Sequence, residues 1–334
     1  MNNHSFQPAY LTLLQNKQLQ ARAEQAYEHM ADCDLCARYC HVNRFETMRG
    51  VVCRSGIRAL VNSYGAHHGE EDPLRGTRGS GTIFFSWCSL RCFFCQNWEI
   101  SQKGTGREVE PEELAQMMLT LQAQGCHNIN FVTPSHVVAQ IIAAVDIAAR
   151  QGLRIPLVYN SGGYDSPEAL TLLDGIIDIY MPDMKYGDSS IARTFSKVRD
   201  YVEVNFAAVR EMQRQVGTLQ LDKQGIARRG LLVRHLVLPG HIAATETVLA
   251  FLAGEVSKDT YINLMDQYHP CYRAMYNPPL DRDLSAKEYE EAMQLADKYG
   301  LKRLDQRQEG MQARTVRCFD SQRQVDLGRS LDLD

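Results

Sequence analysis

Residues 82–102 read Thr-Ile-Phe-Phe-Ser-Trp-Cys-Ser-Leu-Arg-Cys-Phe-Phe-Cys-Gln-Asn-Trp-Glu-Ile-Ser-Gln, and no other stretch restricts the chain so tightly. The apolar run Ile83-Phe84-Phe85 has the composition of a strand and leads straight into Cys88, Cys92 and Cys95. Structural zinc sites close with four ligands. This Cys-x3-Cys-x2-Cys loop offers three, with no fourth Cys or His close behind. Three thiolates on a short loop can hold three corners of a cubane iron–sulfur cluster, where ferredoxin-type sites supply four. The remaining iron is then open to a small molecule, which can coordinate there and receive an electron directly.

The chain has 334 residues, enough for one large α/β domain or two smaller ones, and its 44% hydrophobic content can fill a substantial core. A net charge of −4 leaves no basic footprint for nucleic acid. No apolar run reaches the length of a membrane span, and the polar start Met-Asn-Asn-His-Ser is unlike a signal peptide. Ten cysteines at ligand spacings, without a secretory signal, imply metal binding in a reducing cytoplasm and not a disulfide framework.

In chain order, helical periodicity predicts a helix over 7–31. Next comes Cys33-x2-Cys36-x3-Cys40-x12-Cys53, a four-thiolate pattern suited to zinc or to a second iron–sulfur cluster, between which spacing cannot choose. His41, adjacent to Cys40, reads as a bystander. Residues 65–81 are rich in Gly, Arg and acidic residues and read as a linker. Strands are expected at 82–87, 128–133, 155–160, 176–182, 231–238 and 260–265. Helices are expected near 111–124, 135–150, 166–173, 189–198, 201–215 and 244–256, with Pro111 and Pro167 at first helical positions. The 201–215 helix and the 220–226 turn read as an insertion, and 285–300 as a terminal helix. The expected organisation is an N-terminal helix and Cys-rich module over 1–80, an α/β barrel over 81–310 and a tail over 311–334.

The cluster loop Cys88-Ser-Leu-Arg-Cys92-Phe-Phe-Cys95-Gln-Asn, with the aromatic Phe94 before its third cysteine, resembles that of the radical S-adenosylmethionine (SAM) superfamily. Its closest likeness is to the glycyl-radical-activating branch, the pyruvate formate-lyase activating enzyme-like group. The resemblance implies a partial (β/α)6 barrel, a [4Fe-4S] cluster on Cys88, Cys92 and Cys95, and SAM chelated to the open iron. Six alternating strand–helix units suit that architecture, since parallel strands need right-handed crossovers.

Ligands of parallel α/β sheets gather at the carboxyl ends of the strands, so the strand exits are the places to look. The second exits as Phe131-Val-Thr133-Pro-Ser135-His136. The family resembled has Gly-Gly-Glu there, so Thr133 and Ser135 are left to accept hydrogen bonds from SAM, with Ser135 alternatively a helix cap; His136 reads as a surface residue. The third exits as Tyr159-Asn160-Ser-Gly162-Gly163; Asn160 suits ribose or carboxylate, and the glycines permit close backbone approach. The fourth ends Met-Pro-Asp183-Met-Lys185, similar to the family's Asp-Leu-Lys. Asp183 and Lys185 face one side and would orient SAM and balance its charge. Arg234, inside the apolar strand Leu-Leu-Val-Arg-His-Leu-Val-Leu-Pro-Gly, needs an anionic partner, which the resemblance identifies as the SAM carboxylate. His235 faces the other way and packs. The sixth exits as Gln267-Tyr268-His269, matching the family's Pro-Tyr-His with His269 near SAM. Cys126, Cys271 and Cys318 read as small hydrophobes.

The expected activity is reduction of the cluster by a low-potential flavodoxin or ferredoxin type donor, cleavage of SAM, and hydrogen abstraction from a substrate. A glycine of a partner enzyme is the analogue the resemblance supplies. A small molecule or peptide side chain is the alternative within the same chemistry, and a non-catalytic metal-binding adaptor the alternative outside it.

Overall fold

A computed structural model of the chain describes residues 6–305. The strands are β1 (Ala59–His67), β2 (Ser80–Phe85), β3 (Arg107–Val109), β4 (Ile129–Val132), β5 (Leu157–Ser161), β6 (Ile179–Pro182), β7 (Gln220–Leu221), β8 (Ala227–Leu236) and β9 (Tyr261–Met265). They lie in the order β3-β1-β2-β4-β5-β6-β8-β7, with β9 paired to β8. From β2 through β4, β5, β6 and β8 to β9 every pairing is parallel, which is the mixed α/β, partial-barrel architecture that the strand–helix alternation predicts. The helices are α1 (Tyr10–Gln15), α2 (Gln18–Glu28), α3 (Asp72–Arg75), α4 (Pro111–Ala123), α5 (Val138–Arg150), α6 (Pro167–Leu173), α7 (Ser189–Phe195), α8 (Tyr201–Val216), α9 (Thr245–Phe251) and α10 (Ala286–Lys298).

Alternation along the strands sorts the side chains. Ile83, Phe85, Ile129, Phe131, Tyr159, Tyr180, Leu231 and Val233 join the outer core with Met118 and Leu121 of α4, Ile141 and Val145 of α5, and Val209 and Met212 of α8. The opposite faces of β5, β6 and β8 contribute Val158, Ile179, Met181 and Leu232 to an inner cluster. Helix starts follow their sequence punctuation: Pro111 and Pro167 sit in first turns, Glu110 and Glu113 form a capping box, and Ser166 Oγ accepts from Ala169 N.

Three expectations change here, and a fourth falls outside the described residues. The 7–31 helix is two helices, because Lys17 takes a left-handed φ of 58° between α1 and α2. The domain boundary at 80 falls inside a β-hairpin, since β1 pairs antiparallel with β2. The tail at 311–334 lies outside the described residues. The segment read as an insertion at 201–215 is α8, which packs on β6 and β8 as their crossover helix, so only the small β7 hairpin is additional.

One further change, in the segment between β1 and β2, matters most for the site. The segment read as a linker over 65–81 holds the end of β1 and all of α3, and its middle, residues 70–74, runs inside the barrel. Leu74 is fully buried among Val158, Ile179, Met181 and Leu232. Above it, Glu70 and Glu71 meet Arg234. Glu70 Oε1 also accepts from Asn130 Nδ2 of β4 at 3.0 Å, and Glu71 Oε1 from Asn263 Nδ2 of β9 at 2.7 Å. Two adjacent carboxylates therefore tie β4 to β8 and β9 across the parallel array.

His235, on the outer face of β8, is fully buried. Its Nδ1 donates to Met184 O at 2.6 Å, and the Thr245 hydroxyl stands 2.9 Å from Nε2. Burial pulls its pKa down to about 4, from about 6.5 in an unfolded chain. A depressed histidine binds fewer protons folded than unfolded, so its contribution is whole above the unfolded pKa and is lost as pH falls toward the folded one. Urea unfolding at pH 7 and pH 5 is expected to show a loss of about 2 kcal/mol in total from this group, absent from His235→Gln. Equal pH slopes in the two proteins would refute it.

Candidate functional site

The loop after β2 carries Cys88, Cys92 and Cys95 over the carboxyl ends of the parallel strands, where they line a cavity of about 250 Å³. Phe94, Thr133, Asn160, Asp183, Lys185, Arg234 and Gln267 line the same cavity. Each sulfur has a polar neighbour. Leu90 N–H points at Cys88 Sγ from 3.4 Å, Ser196 Oγ donates to Cys92 Sγ at 3.0 Å, and Ser101 Oγ lies 3.1 Å from Cys95 Sγ. Burial, with the neighbouring thiols, pushes Cys88 up to about 12 and Cys95 up to about 11. The bare triad thus holds its protons, and a metal binding to the sulfurs would displace them to solvent. Phe94 packs edge-on against Tyr186 and Tyr268, with ring centroids 6.1 and 6.3 Å away, which anchors the loop between its second and third cysteines.

Asp183 and Lys185 act as the pair their spacing predicts, with Lys185 Nζ 2.5 Å from Asp183 Oδ2. Burial alone would lower the ammonium, yet the Asp183 carboxylate and the Cys92 thiol outweigh it and raise Lys185 above its ordinary value. The lysine is a fixed positive charge beside the triad. Two α8 side chains, absent from the sequence-based candidates, hold the surrounding loops. Tyr201 Oη contacts Gly162 O at 2.9 Å, Asp183 O at 3.0 Å and Lys185 N at 3.0 Å. Asn205 Nδ2 donates to Gly163 O and Asp183 O at 2.9 and 3.0 Å. Gly163 has φ +70°, and a Cβ there would lie 2.1 Å from Asn205 Nδ2. The close approach that needs glycine is therefore to the protein's own chain.

Other expected contacts fall elsewhere. Arg234 lines the cavity, but the anion it requires is Glu71, at 2.6 Å from Nε and 2.9 Å from Nη2, together with Glu70. Asn160 Oδ1 lies 3.5 Å from its Nη1. Ser135 is buried, serves neither cavity nor helix cap, and bonds with the buried Asp165. His136, expected at the surface, is 1% exposed, with Nε2 2.9 Å from Ser86 O. His269 is directed at Gln267 O (3.3 Å) and Cys271 Sγ (3.6 Å) and is not among the cavity's lining residues. Gln267, which stands in the place of a proline, does line it, and its Oε1 is buried without a partner.

Among the described residues no three His, Cys, Asp or Glu side chains form a closed cage for a single ion. The triad is suited to something wider. Its three thiols share one roomy cavity whose lining includes no histidine and no fourth cysteine, so a cube can take three thiolates there and keep one corner free. Lys185 supplies positive charge beside this anionic donor set. The geometry gathers three thiols and one ammonium at the mouth of a parallel α/β barrel, a donor set that fits such a cluster.

Comparison with known proteins agrees. Residues 82–218 match the Radical SAM superfamily. Uncharacterized protein MJ0674 of Methanocaldococcus jannaschii is 31% identical over 293 residues, covering 85% of this chain and 79% of its own. Uncharacterized protein MJ0808 of the same organism is 25% identical over 305 residues, covering 84% and 83%. Among solved structures, TYW1 with a lysine-pyruvate adduct bound aligns at TM-score 0.42 and 13% identity over 65% of this chain and 73% of that one. A domain of pyruvate-formate lyase-activating enzyme from Bacteroides vulgatus aligns at 0.33 and 17% over 57% and 88%. The chain belongs to the radical SAM superfamily, which implies a [4Fe-4S] cluster and SAM. No helix among the described residues is long and apolar enough to cross a membrane.

Proposed function

We propose that this protein cleaves SAM reductively at a [4Fe-4S] cluster held by Cys88, Cys92 and Cys95, and uses the product to remove a hydrogen atom from a glycine of a partner protein. When bound, cluster and SAM supply a one-electron cleavage that yields methionine and a 5′-deoxyadenosyl radical. The observation that carries the reading is the placing of exactly three thiols, without a fourth ligand, in the cavity that also holds Lys185, Asp183 and Gln267. The side chains of this cavity bind and orient. Gln267 Oε1 and the Thr133 hydroxyl offer acceptors to the SAM ammonium, Thr133 lying where the family resembled has Gly-Gly-Glu. Lys185 balances carboxylate and thiolate charge, and Phe94 with Leu236 and Met265 keeps water from the reacting end. Electrons come from a low-potential flavodoxin or ferredoxin type donor. The glycine assignment rests on the likeness of the cluster loop to the glycyl-radical-activating branch.

The test is anaerobic incubation of the reduced protein with SAM and each of a panel of candidate glycyl radical enzymes. A glycyl doublet in electron paramagnetic resonance is the expected result. Formation of 5′-deoxyadenosine without any such doublet would overturn the glycine assignment and move the reaction to a small molecule or peptide side chain; no nucleoside at all would overturn the activity.

A further inference from the structure

A second thiol-lined cavity lies behind the cluster loop. Cys33, Cys36, Cys40 and Cys53 line it together with Arg38, Arg44 and His136. Three of these thiols are buried, and Cys40 is partly exposed. The space they enclose is about 10 Å³, roughly that of one small sphere. The triad cavity has about 250 Å³. A cube of four irons and four sulfides has no room behind the loop, whereas one ion does.

His136 points to the same conclusion independently. A backbone carbonyl only accepts hydrogen bonds, so its contact with Ser86 O places the ring proton on Nε2. Nδ1 then carries a bare lone pair, and it is buried with no partner. An imidazole that gives one N–H to a carbonyl while its other nitrogen is left free beside thiols is oriented as proteins orient histidines toward metals. Arg38 Nη2 is likewise buried and unpartnered, and Arg44 Nη1 lies 3.8 Å from Cys33 Sγ. These guanidinium groups offset the negative charge that four thiolates leave around a divalent ion.

The module also grips the cluster loop. Arg38 Nε donates to Ser89 O at 2.7 Å and Arg91 donates to Val52 O, while His136, from the segment before α5, holds Ser86 O. Residues 86, 89 and 91 flank Cys88 on both sides.

We propose that Cys33, Cys36, Cys40 and Cys53, with His136 Nδ1 able to stand in for one of them, hold one tetrahedral ion of the zinc type, and that this ion fixes the loop bearing Cys88, Cys92 and Cys95. The thiols of the module do not yet form a closed cage; binding draws the sulfurs inward by side-chain rotation. The second half of the proposal rests on the cluster reading above, and the metal assay is independent of it.

In the Cys88/Cys92/Cys95→Ala variant, purified without oxygen, metal analysis is expected to find one zinc per chain and neither iron nor sulfide. Adding Cys36→Ser and Cys53→Ser removes the zinc. Because those substitutions can impair folding, the intact protein is also stripped with a zinc chelator. Amide exchange over 86–95 is then expected to accelerate at least tenfold and to return on readdition of zinc alone. Iron and sulfide retained in the first variant, or no metal in it, overturns the site. Zinc removal that leaves 86–95 unchanged, or that speeds exchange evenly across the sheet, overturns the role in fixing the loop.

Discussion

Replacing Cys92 by alanine is expected to abolish 5′-deoxyadenosine formation with dithionite and SAM, while leaving the chain folded. Cys92 is the middle of the three cavity thiols and the one bonded to Ser196. Without it two thiolates remain, too few to hold a cube with one free corner. The rate should fall by at least about a thousandfold, or ~4 kcal/mol of transition-state stabilisation. The fold tolerates the change because little volume is lost and Ser196 Oγ keeps Tyr186 Oη at 2.8 Å. A stability loss of only about 1 kcal/mol is the ordinary cost of such a substitution. Product at the wild-type rate, with iron content unchanged, would refute the assignment of Cys92 as a cluster ligand.

The second large effect concerns stability. Arg234→Met leaves Glu70 and Glu71 inside the barrel without their counter-charge, since their side chains are only 6% and 1% exposed. Breaking a buried pair in this way costs about 3–5 kcal/mol. In the intact protein burial pushes Glu71 upward, but Arg234 overrides it and holds the carboxyl below its ordinary value. A depressed carboxylate contributes stability that is present above the unfolded pKa and lost as pH falls through the folded one. In Arg234→Met only the hydrogen bonds from Asn263 and the backbone still oppose burial, and burial then raises the same group. Stability should then be retained at acid pH and lost as pH rises through the raised pKa, so the slope contributed by this group changes sign. Adding Glu70→Gln and Glu71→Gln should recover more than half of the loss and remove the slope. Denaturant midpoints from pH 4 to 8 measure both, and a variant with the wild-type slope would show that the carboxylates find other partners.

These two sites also show what could be read from the sequence. The triad, the strand exits and the Asp183–Lys185 pair are local patterns, set by loop spacing and by the two-residue period of a strand. The barrel follows from strand–helix alternation in the same way. Glu70 and Glu71 are different. In a stretch rich in glycine and arginine they look like solvated charges, and only a partner 163 residues away makes them interior. The available signal was Arg234 itself, a charge inside an apolar strand, which demanded an anion without saying whether chain or ligand supplied it. Ser135 and His136 were misplaced for a related reason: their surroundings, Asp165 and the N-terminal cysteines, come from distant segments. Tyr201 and Asn205 bond to backbone atoms, and that requirement leaves no mark in a sequence.

The carboxylate pair within the barrel has a bearing on biosynthesis. Glu71 and Asn263 are 192 residues apart, and a ribosome adding about 5–20 residues per second takes roughly 10–40 s to make that span. Through that interval the two acids emerge long before Arg234 and the last strand, and they stay hydrated. The hairpin of β1 and β2 can form early, but the inward path of the segment that follows β1 cannot be settled until synthesis is nearly complete.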